Sequence, residues 1–235
     1  MIFKTSNKEY EVSETLRSLI KPGWQEMLKP AKTRNDIPNV RIFLPSLNSA
    51  EMLLYKHDIS LVGKNILEVG CNEGARSYLL ARYEGTKVYG IDVDSYTVEQ
   101  SPDLNVWNPR DTDFVHNKFI NYRDLIAKQF PSPISSKVSF GTCGMEQYVA
   151  PVPYDLIISW DTIEHIVNLD KAFENMALSL RQGGIAYHEY NPFFAINGGH
   201  SLCTLDFLYG HCILPAKEFE RYIREIRPEE EKIDL

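Results

Sequence analysis

The sequence predicts an α/β protein whose mostly parallel sheet is covered by helices on both faces. Three observations lead to this prediction: short apolar runs alternate with stretches of helical spacing from Asn65 onward, a glycine turn follows the first run, and an acid ends the second. Strands that alternate with helices pair in parallel and become buried on both faces. The predicted strands are 66–69, 88–91, 138–140, 156–159 and 185–187, and the helices between them include 75–82 and 169–181.

The residues on either side of this pattern differ from it, and the sequence therefore predicts three parts. Residues 1–58 carry helical spacing interrupted by four prolines, which predicts a helical N-terminal cap. This cap stands where a lid over the ligand site of such a sheet would begin. Residues 59–192 are the predicted core, with one extra helix around 113–130. Residues 193–235 are predicted to form a loop and a C-terminal helix on the side of the sheet where a ligand would enter.

Composition and charge argue against several classes of protein. Hydrophobic residues make up 43% and charged residues 24% of the 235 residues, which is ordinary globular usage. The formal net charge of −7, with scattered Lys and Arg, argues against duplex nucleic acid as a partner. The four cysteines form no CxxC pair, the chain opens without leader-like residues, and no apolar run reaches about 18 residues. These features predict a cytoplasmic protein with reduced thiols and no membrane insertion.

The clearest motif is the glycine turn that follows the first predicted strand. Gly70 and Gly74 flank a turn that leads into a predicted helix, and Asp92 ends the second strand eighteen residues later. Glycines let a backbone approach a ligand closely, and a carboxylate at this place can accept both hydroxyls of a ribose. This pairing predicts a site for a nucleoside-containing cofactor.

A dinucleotide-binding oxidoreductase is an alternative, because such enzymes also combine a glycine turn with a later acid. Their GxGxxG fingerprint would require glycines at 70, 72 and 75, whereas this chain has Asn72 and Ala75. Asn72 would obstruct a pyrophosphate, so this class is disfavoured. A Rossmann-like module that binds a cofactor without turnover remains a second alternative.

Four segments in order, 68–74, 90–92, 154–166 and 180–184, resemble the successive motifs of class I S-adenosylmethionine (SAM)-dependent methyltransferases. They are especially similar to the "EHI/EHV" group related to ubiquinone-biosynthesis methyltransferases, through Glu164-His165-Ile166. The resemblance covers about residues 60–192 and implies a Rossmann-like fold with SAM as cofactor. It implies nothing specific about the methyl acceptor.

The resemblance also implies a set of cofactor-binding residues. Asp92 is expected to hold the ribose, Val93 to touch the adenine, and Trp160 to line the pocket beside the sulfonium. The loop after the third strand, with Met145 and Glu146, stands where the family usually places an acid near the adenine amino group. Cys143 occupies the commonest position of that acid, so the role passes to Glu146 or to backbone groups. The methionine portion is expected to be held by Glu68, Gly70, Cys71 and Gly74.

Acceptor chemistry is expected beyond the carboxyl ends of the fourth and fifth strands. Residues that should meet at this mouth are Asp161, Glu164, His165, His188 and Asn191. The catalytic candidates are Asp161, His165 and His200, since a histidine can accept a proton near neutral pH. For His165, fixing the loop is an equally supported role, whereas the glycine turn around His200 favours a functional one.

A divalent metal is a further hypothesis for this mouth. Asp161, Glu164 and His165, followed later by His200, are similar to the metal-binding constellation of small-RNA 2′-O-methyltransferases and some ubiquinone-pathway relatives. Such ligands could hold Mg²⁺ or Mn²⁺ and lower the pKa of a hydroxyl nucleophile. Many metal-free family members share the Glu-His pair, so both alternatives stay open.

The predicted function is therefore SAM-dependent methylation of a polar small molecule, such as a sugar, sugar nucleotide or metabolite, most simply at a hydroxyl. The family normally ends with a helix and an antiparallel strand pair after the fifth strand. No convincing final strands follow residue 226 here. Either the chain departs from the family pattern or it is a piece of a longer polypeptide.

Overall fold

The computed structural model describes residues 1–20, 22, 39–93, 123–196 and 205–230. Contacts divide the chain into a larger unit, residues 35–190, and a smaller unit that combines residues 1–34 with 191–235. Among the described residues, no helix is long and apolar enough to cross a membrane.

The described elements are short and follow one another closely. Short 3₁₀ helices span Val40–Phe43, Ile163–His165 and Pro228–Glu230, and residues 123–127 are helical. The strands and α-helices, in chain order, are β1 (Ile2–Lys4), β2 (Glu9–Glu11), α1 (Glu14–Ile20), α2 (Leu44–Lys56), β3 (Asn65–Val69), α3 (Ala75–Leu80), β4 (Lys87–Asp92), α4 (Ser132–Ser135), β5 (Val138–Thr142), β6 (Tyr154–Trp160), α5 (Leu169–Ser179), β7 (Leu180–Glu189), α6 (Gly210–Ile213) and α7 (Ala216–Ile226).

The larger unit is built on a five-stranded sheet in the order β5-β4-β3-β6-β7. Every described pair in it is parallel. The central strand β3 places Glu68 beside Gly90 on one side and Ile158 on the other. The predicted α/β fold with a parallel sheet is therefore confirmed, and its strand ends bring the predicted motifs to one edge.

The two faces of this sheet carry separate hydrophobic clusters, because successive strand residues point to opposite sides. Ile66 and Leu156 pack with α2 and α3, and the α2 residues in this core include Leu47 and Leu54. Leu67 and Ile157 lie in the second cluster, which also contains Ala172 and Met176 of α5. Helices thus cover both faces, as predicted.

The last strand is longer than predicted. The apolar run 185–187 lies inside β7, and the register shifts between the pair Tyr154 with Leu180 and the pair Leu156 with Ile185. Between these two pairs β7 has more residues than β6, and Gly183, at φ +73°, is one of them. A bulge needs a backbone that can bend, which the two adjacent glycines supply.

The smaller unit begins with a β-hairpin, although the sequence predicts helical structure throughout 1–58. Strands β1 and β2 pair in antiparallel fashion, with Phe3 opposite Tyr10. The side chain of Thr5 accepts a hydrogen bond from the Lys8 N–H and closes the turn. Helical spacing starts only at Leu16, so the prediction extended a real signal too far toward the N-terminus. The core of this unit comprises Phe3, Leu205, Phe207, Leu214, Tyr222 and Ile223.

Candidate functional site

The glycine turn after β3 is built by three residues with positive φ. These angles are +73° at Gly70, +46° at Asn72 and +79° at Gly74. A Cβ on Gly70 would lie 2.5 Å from Cγ2 of Thr162, so only glycine fits at this position. Asparagine is one of the few other residues that adopts the left-handed region readily. The turn therefore keeps the bent backbone of a cofactor loop although its middle residue is not glycine.

Asp92 at the end of β4 is joined directly to this turn. Its Oδ2 accepts a 2.6 Å hydrogen bond from the Asn72 N–H, and its Oδ1 accepts one of 2.8 Å from the Val93 N–H. Burial raises the pKa of Asp92, while these two backbone bonds act in the opposite direction. Each carboxylate oxygen can accept a second hydrogen bond. The group can therefore still receive two hydroxyls from one diol.

Glu68 lies beneath the turn. Its carboxyl group is buried and accepts a hydrogen bond from the Ser77 hydroxyl of α3. Burial raises the pKa of Glu68 to about 7, although the Ser77 hydroxyl and the charges of Arg76 and Arg123 lower it. Glu68 thus supports the junction between β3 and α3 from inside.

Arg123 is a residue at this site that the sequence analysis missed. Its Nε donates a 3.0 Å hydrogen bond to the Asn72 carbonyl, and its guanidinium lies 4.7 Å from the centre of the Phe140 ring. Its Nη2 is 3.5 Å from Sγ of Cys71, whose thiol pKa is raised by burial. Arg123 belongs to the long connection between β4 and β5, where no sequence motif marks it.

Val93, Gly144 and Glu146 lie together next to Asp92. A Cβ on Gly144 would lie 3.0 Å from Oε2 of Glu146 and 3.5 Å from Cγ1 of Val93. The Cys143 N–H donates a 2.9 Å hydrogen bond to the Asp92 carbonyl, which ties this loop to the end of β4. The structure therefore brings together two of the residues predicted to surround the adenine.

Met145 lies in the same loop but has a different environment. Its side chain is buried in the hydrophobic cluster that contains Leu67 and Ile157. The amide of Asn175 in α5 donates hydrogen bonds to the carbonyls of Met145 and Glu146, at 3.1 and 2.8 Å. The structure thus places Met145 as an anchor of the loop in the core.

Trp160 ends β6 and is almost fully buried, with 2% of its surface exposed. Within the described residues, its indole Nε1–H has no hydrogen-bond acceptor. The guanidinium of Arg76 lies 5.1 Å from the Trp160 ring centre and 4.8 Å from that of Phe43. Arg76 was also missed by the sequence analysis, although it stands only two residues after Gly74.

The chain turns sharply after Trp160. Asp161 has φ +49°, and its N–H donates a 2.9 Å hydrogen bond to the Glu189 carbonyl of β7. The Thr162 hydroxyl donates to the Trp160 carbonyl at 2.8 Å. A 3₁₀ turn then carries His165, and both Asp161 and His165 are exposed.

His188 lies on the neighbouring strand and is held by Ser159. The Ser159 Oγ and the His188 Nδ1 are 2.7 Å apart, and the Phe173 ring contacts the imidazole edge-on. Burial lowers the pKa of His188, so the ring is neutral near pH 7. Its Nε2 has no hydrogen-bond partner in the described part of the chain.

The three predicted metal ligands that the structure describes do not form a metal site by themselves. The described residues contain no group of three or more His, Cys, Asp or Glu side chains that could hold a metal, and Asp161, Glu164 and His165 are all among them. His200, the fourth predicted ligand and a predicted catalytic residue, lies outside the described residues. His211, in the smaller unit, is 2.5 Å from the Phe193 carbonyl through its Nε2.

Comparison with solved structures finds similar methyltransferases at low identity. One is the glycopeptide N-methyltransferase MtfA complexed with sinefungin, at 10% identity and TM-score 0.43, over 60% of this chain and 47% of that one. Another is a SAM-dependent methyltransferase from Geobacter sulfurreducens with S-adenosyl-L-homocysteine, at 18% identity and TM-score 0.43, over 71% and 54%. A third is StiE O-MT residues 961–1257, at 16% identity and TM-score 0.42, over 75% and 51%. The matched region spans about half the length of these chains.

Comparison of sequences identifies the family. No curated protein sequence matches this chain. Residues 43–225 match the family described as "Methyltransferase domain", and this range contains the whole five-stranded sheet. The narrower grouping with EHI/EHV relatives stays a prediction. Because the match covers most of the chain, the protein belongs to the methyltransferase domain family, as its resemblance to class I SAM-dependent methyltransferases predicted.

Proposed function

We propose that this protein transfers a methyl group from SAM to a hydroxyl, or another heteroatom, of a polar small molecule. The observation that carries the proposal is the bond between the Asn72 N–H and the Asp92 carboxylate. It joins a close-approach glycine turn to a diol acceptor, and a nucleoside-containing cofactor needs both. Asn72 has a side chain where a dinucleotide fingerprint requires glycine, which favours SAM over NAD.

The described residues are proposed to bind the parts of SAM in order along the edge of the sheet. Asp92 is proposed to accept the ribose hydroxyls, and Val93 with Glu146 to border the adenine. The backbone of Gly70 and Cys71 is proposed to hold the methionine portion, beside Trp160. Glu68 and Gly74 would then act through the shape of the turn, since Glu68 is buried against Ser77.

SAM supplies a methyl group that its sulfonium has already activated, so the protein's main contribution is position. Asp161 and His165 are exposed at the carboxyl end of β6, and this supports a polar acceptor. A hydroxyl acceptor must lose a proton, and an exposed imidazole such as His165 is suited to accept it. His200 and the segment 193–235 are proposed, from sequence alone, to complete the acceptor side.

A bound metal is a variant of this proposal. The residues that would hold Mg²⁺ or Mn²⁺ are Asp161, Glu164, His165 and His200, and the ion would lower the pKa of a bound hydroxyl. Loss of turnover in EDTA, with recovery on adding either ion, supports the variant. Full turnover after exhaustive chelation contradicts it.

Two measurements test the proposed function. Calorimetry should show binding of SAM and of S-adenosylhomocysteine, and absence of binding to both would refute the cofactor assignment. Incubation of the protein with methyl-labelled SAM and a metabolite extract should then yield a labelled polar product by mass spectrometry. The Asp92→Ala protein is the negative control. Binding without transfer to any fraction would instead support a module that binds SAM without turnover.

A further inference from the structure

The guanidinium of Arg76 lies close to two aromatic rings at the edge of the predicted cofactor pocket. It is 4.8 Å from the ring centre of Phe43 and 5.1 Å from that of Trp160. Its Nε donates one long hydrogen bond, 3.4 Å, to the Ser46 hydroxyl. Among the described residues Arg76 forms no salt bridge, although Glu68 is near enough for the two charges to interact. Aromatic rings at these distances attract the charge of the guanidinium, and its N–H groups can still donate to a partner.

The second observation is an indole without an acceptor. Trp160 has 2% of its surface exposed, and its Nε1–H donates no hydrogen bond within the described residues. Buried indole N–H groups normally find a partner, since an unsatisfied one costs about 1 to 3 kcal/mol. Such an atom in a folded protein points to a ligand that supplies the acceptor.

Ser46 fixes the geometry of this cluster. Its hydroxyl donates a 3.1 Å hydrogen bond to the Phe43 carbonyl, so it faces Arg76 as an acceptor. The cluster therefore offers a positive charge and several N–H donors. The nearby acid, Glu68, interacts with the charge of Arg76, but its carboxyl group is buried and accepts a hydrogen bond from Ser77. A planar guanidinium is matched best by a carboxylate, which can take two parallel hydrogen bonds from it.

The cluster also has a defined place relative to the cofactor turn. Thr162 donates to the Trp160 carbonyl, and its side chain closes against Gly70. Trp160 is thus one short turn away from the residues proposed to hold the methionine portion of SAM. A carboxylate is present in that portion, and it could also be carried by the methyl acceptor.

We propose that Arg76 and the Trp160 indole form a carboxylate-binding site at the carboxyl end of β6. The inference rests on the proposed function for its location. It adds Arg76, which no sequence motif assigns, and it gives the indole N–H of Trp160 a specific partner. Its first expected occupant is the methionine carboxylate of SAM, with a carboxylate of the acceptor as the second source.

Two ligands that differ only in the carboxylate distinguish its contribution to binding from that of the rest of the cofactor. S-adenosylhomocysteine has the carboxylate, whereas its decarboxylated analogue keeps the adenine, ribose and amino group. Arg76→Gln should weaken binding of the first by about ten- to a hundredfold, the usual worth of a charge-assisted bond, and leave the second unchanged. The affinity of Arg76→Lys for S-adenosylhomocysteine should lie between those of the wild type and Arg76→Gln. Lysine keeps the positive charge but cannot donate two parallel hydrogen bonds to the carboxylate. Arg82→Gln, an exposed change two residues beyond the C-terminal end of α3, is the matched control and should affect neither ligand.

The Trp160 indole N–H provides a readout that a purely structural role would not change. Its ¹H–¹⁵N NMR signal, identified with Trp160→Phe, should shift on adding S-adenosylhomocysteine but not the decarboxylated analogue. If the bound carboxylate belongs to the acceptor, the indole N–H signal should shift when acetate is added to protein saturated with S-adenosylhomocysteine. Arg76→Gln should abolish that shift.

Three results would overturn the carboxylate site. Equal loss of affinity for both ligands in Arg76→Gln would make Arg76 structural. If Arg76→Gln binds both nucleoside ligands as the wild type does, and acetate has no effect that depends on Arg76, then Arg76 binds no carboxylate. If the wild type binds neither nucleoside ligand, the proposed function fails by itself. Acetate is then added to the ligand-free protein, and the absence of an Arg76-dependent shift of the indole signal refutes the carboxylate site.

Discussion

The backbone N–H of Asn72 donates a 2.6 Å hydrogen bond to Oδ2 of Asp92. This bond connects the turn after β3 to the acid that ends β4, twenty positions further along the chain. Asn72 has a left-handed backbone, with φ +46°. Two motifs that are separate in the sequence therefore form one unit, and the orientation of the carboxylate depends on the turn.

The first prediction concerns the charge of Asp92. Asp92→Asn should weaken S-adenosylhomocysteine binding about ten- to a hundredfold, because a hydrogen bond to a charged group contributes about 1.5 to 3 kcal/mol. Calorimetry measures the effect. Asp170→Asn, in the exposed first turn of α5, is the matched control and should bind like the wild type. An unchanged affinity in Asp92→Asn would remove Asp92 from the ribose role.

The second prediction separates backbone strain from steric contact at the turn. Gly63 and Gly70 have nearly the same φ, +71° and +73°, but a Cβ on Gly63 would meet nothing within 4 Å. Gly63→Ala should therefore cost only the left-handed penalty of about 1 to 2 kcal/mol. Gly70→Ala should cost more in urea unfolding, and it should also weaken S-adenosylhomocysteine binding.

Thr162→Gly provides the rescue for this comparison, because the three atoms nearest to a Cβ at Gly70 all belong to the side chain of Thr162. Adding it to Gly70→Ala should bring the loss of stability back toward that of Gly63→Ala. Equal losses in the two single variants would show that the close approach of Thr162 does not matter.

Much of the cofactor edge could be predicted from sequence because its requirements are local. A positive φ selects Gly70 and Gly74, and an acid at the end of a buried strand marks Asp92. The strands were also predictable, since a sheet buried on both faces needs short continuous apolar runs. The division of the chain at 58/59 and 192/193 stays a prediction, although α2 packs within the sheet's own core.

The residues that sequence analysis missed owe their positions to tertiary structure. Arg123 reaches Asn72 across 51 positions, and Arg17 pairs with Glu230 across 213. No spacing rule connects such residues. The cofactor contact of Met145 stays a prediction. Its side chain is buried in the core, and its backbone carbonyl accepts a hydrogen bond from Asn175.

The third prediction follows from the buried carboxyl of Glu68. Its pKa rises from 4.5 to about 7, so between these values the folded protein holds a proton that the unfolded chain has released. The free energy of unfolding should therefore fall as pH rises through this window, by about 2 to 3 kcal/mol in total. Glu68→Gln should lack this fall, as measured by urea unfolding between about pH 5 and pH 8. A difference between the two proteins that stays constant with pH would contradict the shifted pKa.

The fourth prediction concerns a buried ion pair in the smaller unit. Arg17 and Glu230 are 1% and 0% exposed and share hydrogen bonds of 2.7 and 2.9 Å, and Arg227 also pairs with Glu230. Glu230→Gln removes the carboxylate that faces two buried guanidinium groups, and it should cost about 3 to 5 kcal/mol in stability. The exposed pair of Lys4 and Glu9 is the control: Glu9→Gln should cost less than about 1 kcal/mol. Similar losses in the two variants would show that burial adds nothing to the Arg17 pair.

The last prediction tests whether His165 accepts a proton from the methyl acceptor. His165 is exposed on the 3₁₀ turn after β6, whereas His188 is held by Ser159 and has a lowered pKa. If His165 is the proton acceptor, His165→Ala should lower turnover of the identified substrate by about 10² to 10⁴ and leave S-adenosylhomocysteine affinity unchanged. If it only grips the substrate, the Michaelis constant should rise while turnover holds. His57→Ala, an exposed change at the end of α2, controls for loss of a surface imidazole, and matched thermal melts check folding. Wild-type kinetics in His165→Ala would transfer the role to another group, and a loss of cofactor affinity instead would place His165 on the SAM side of the site.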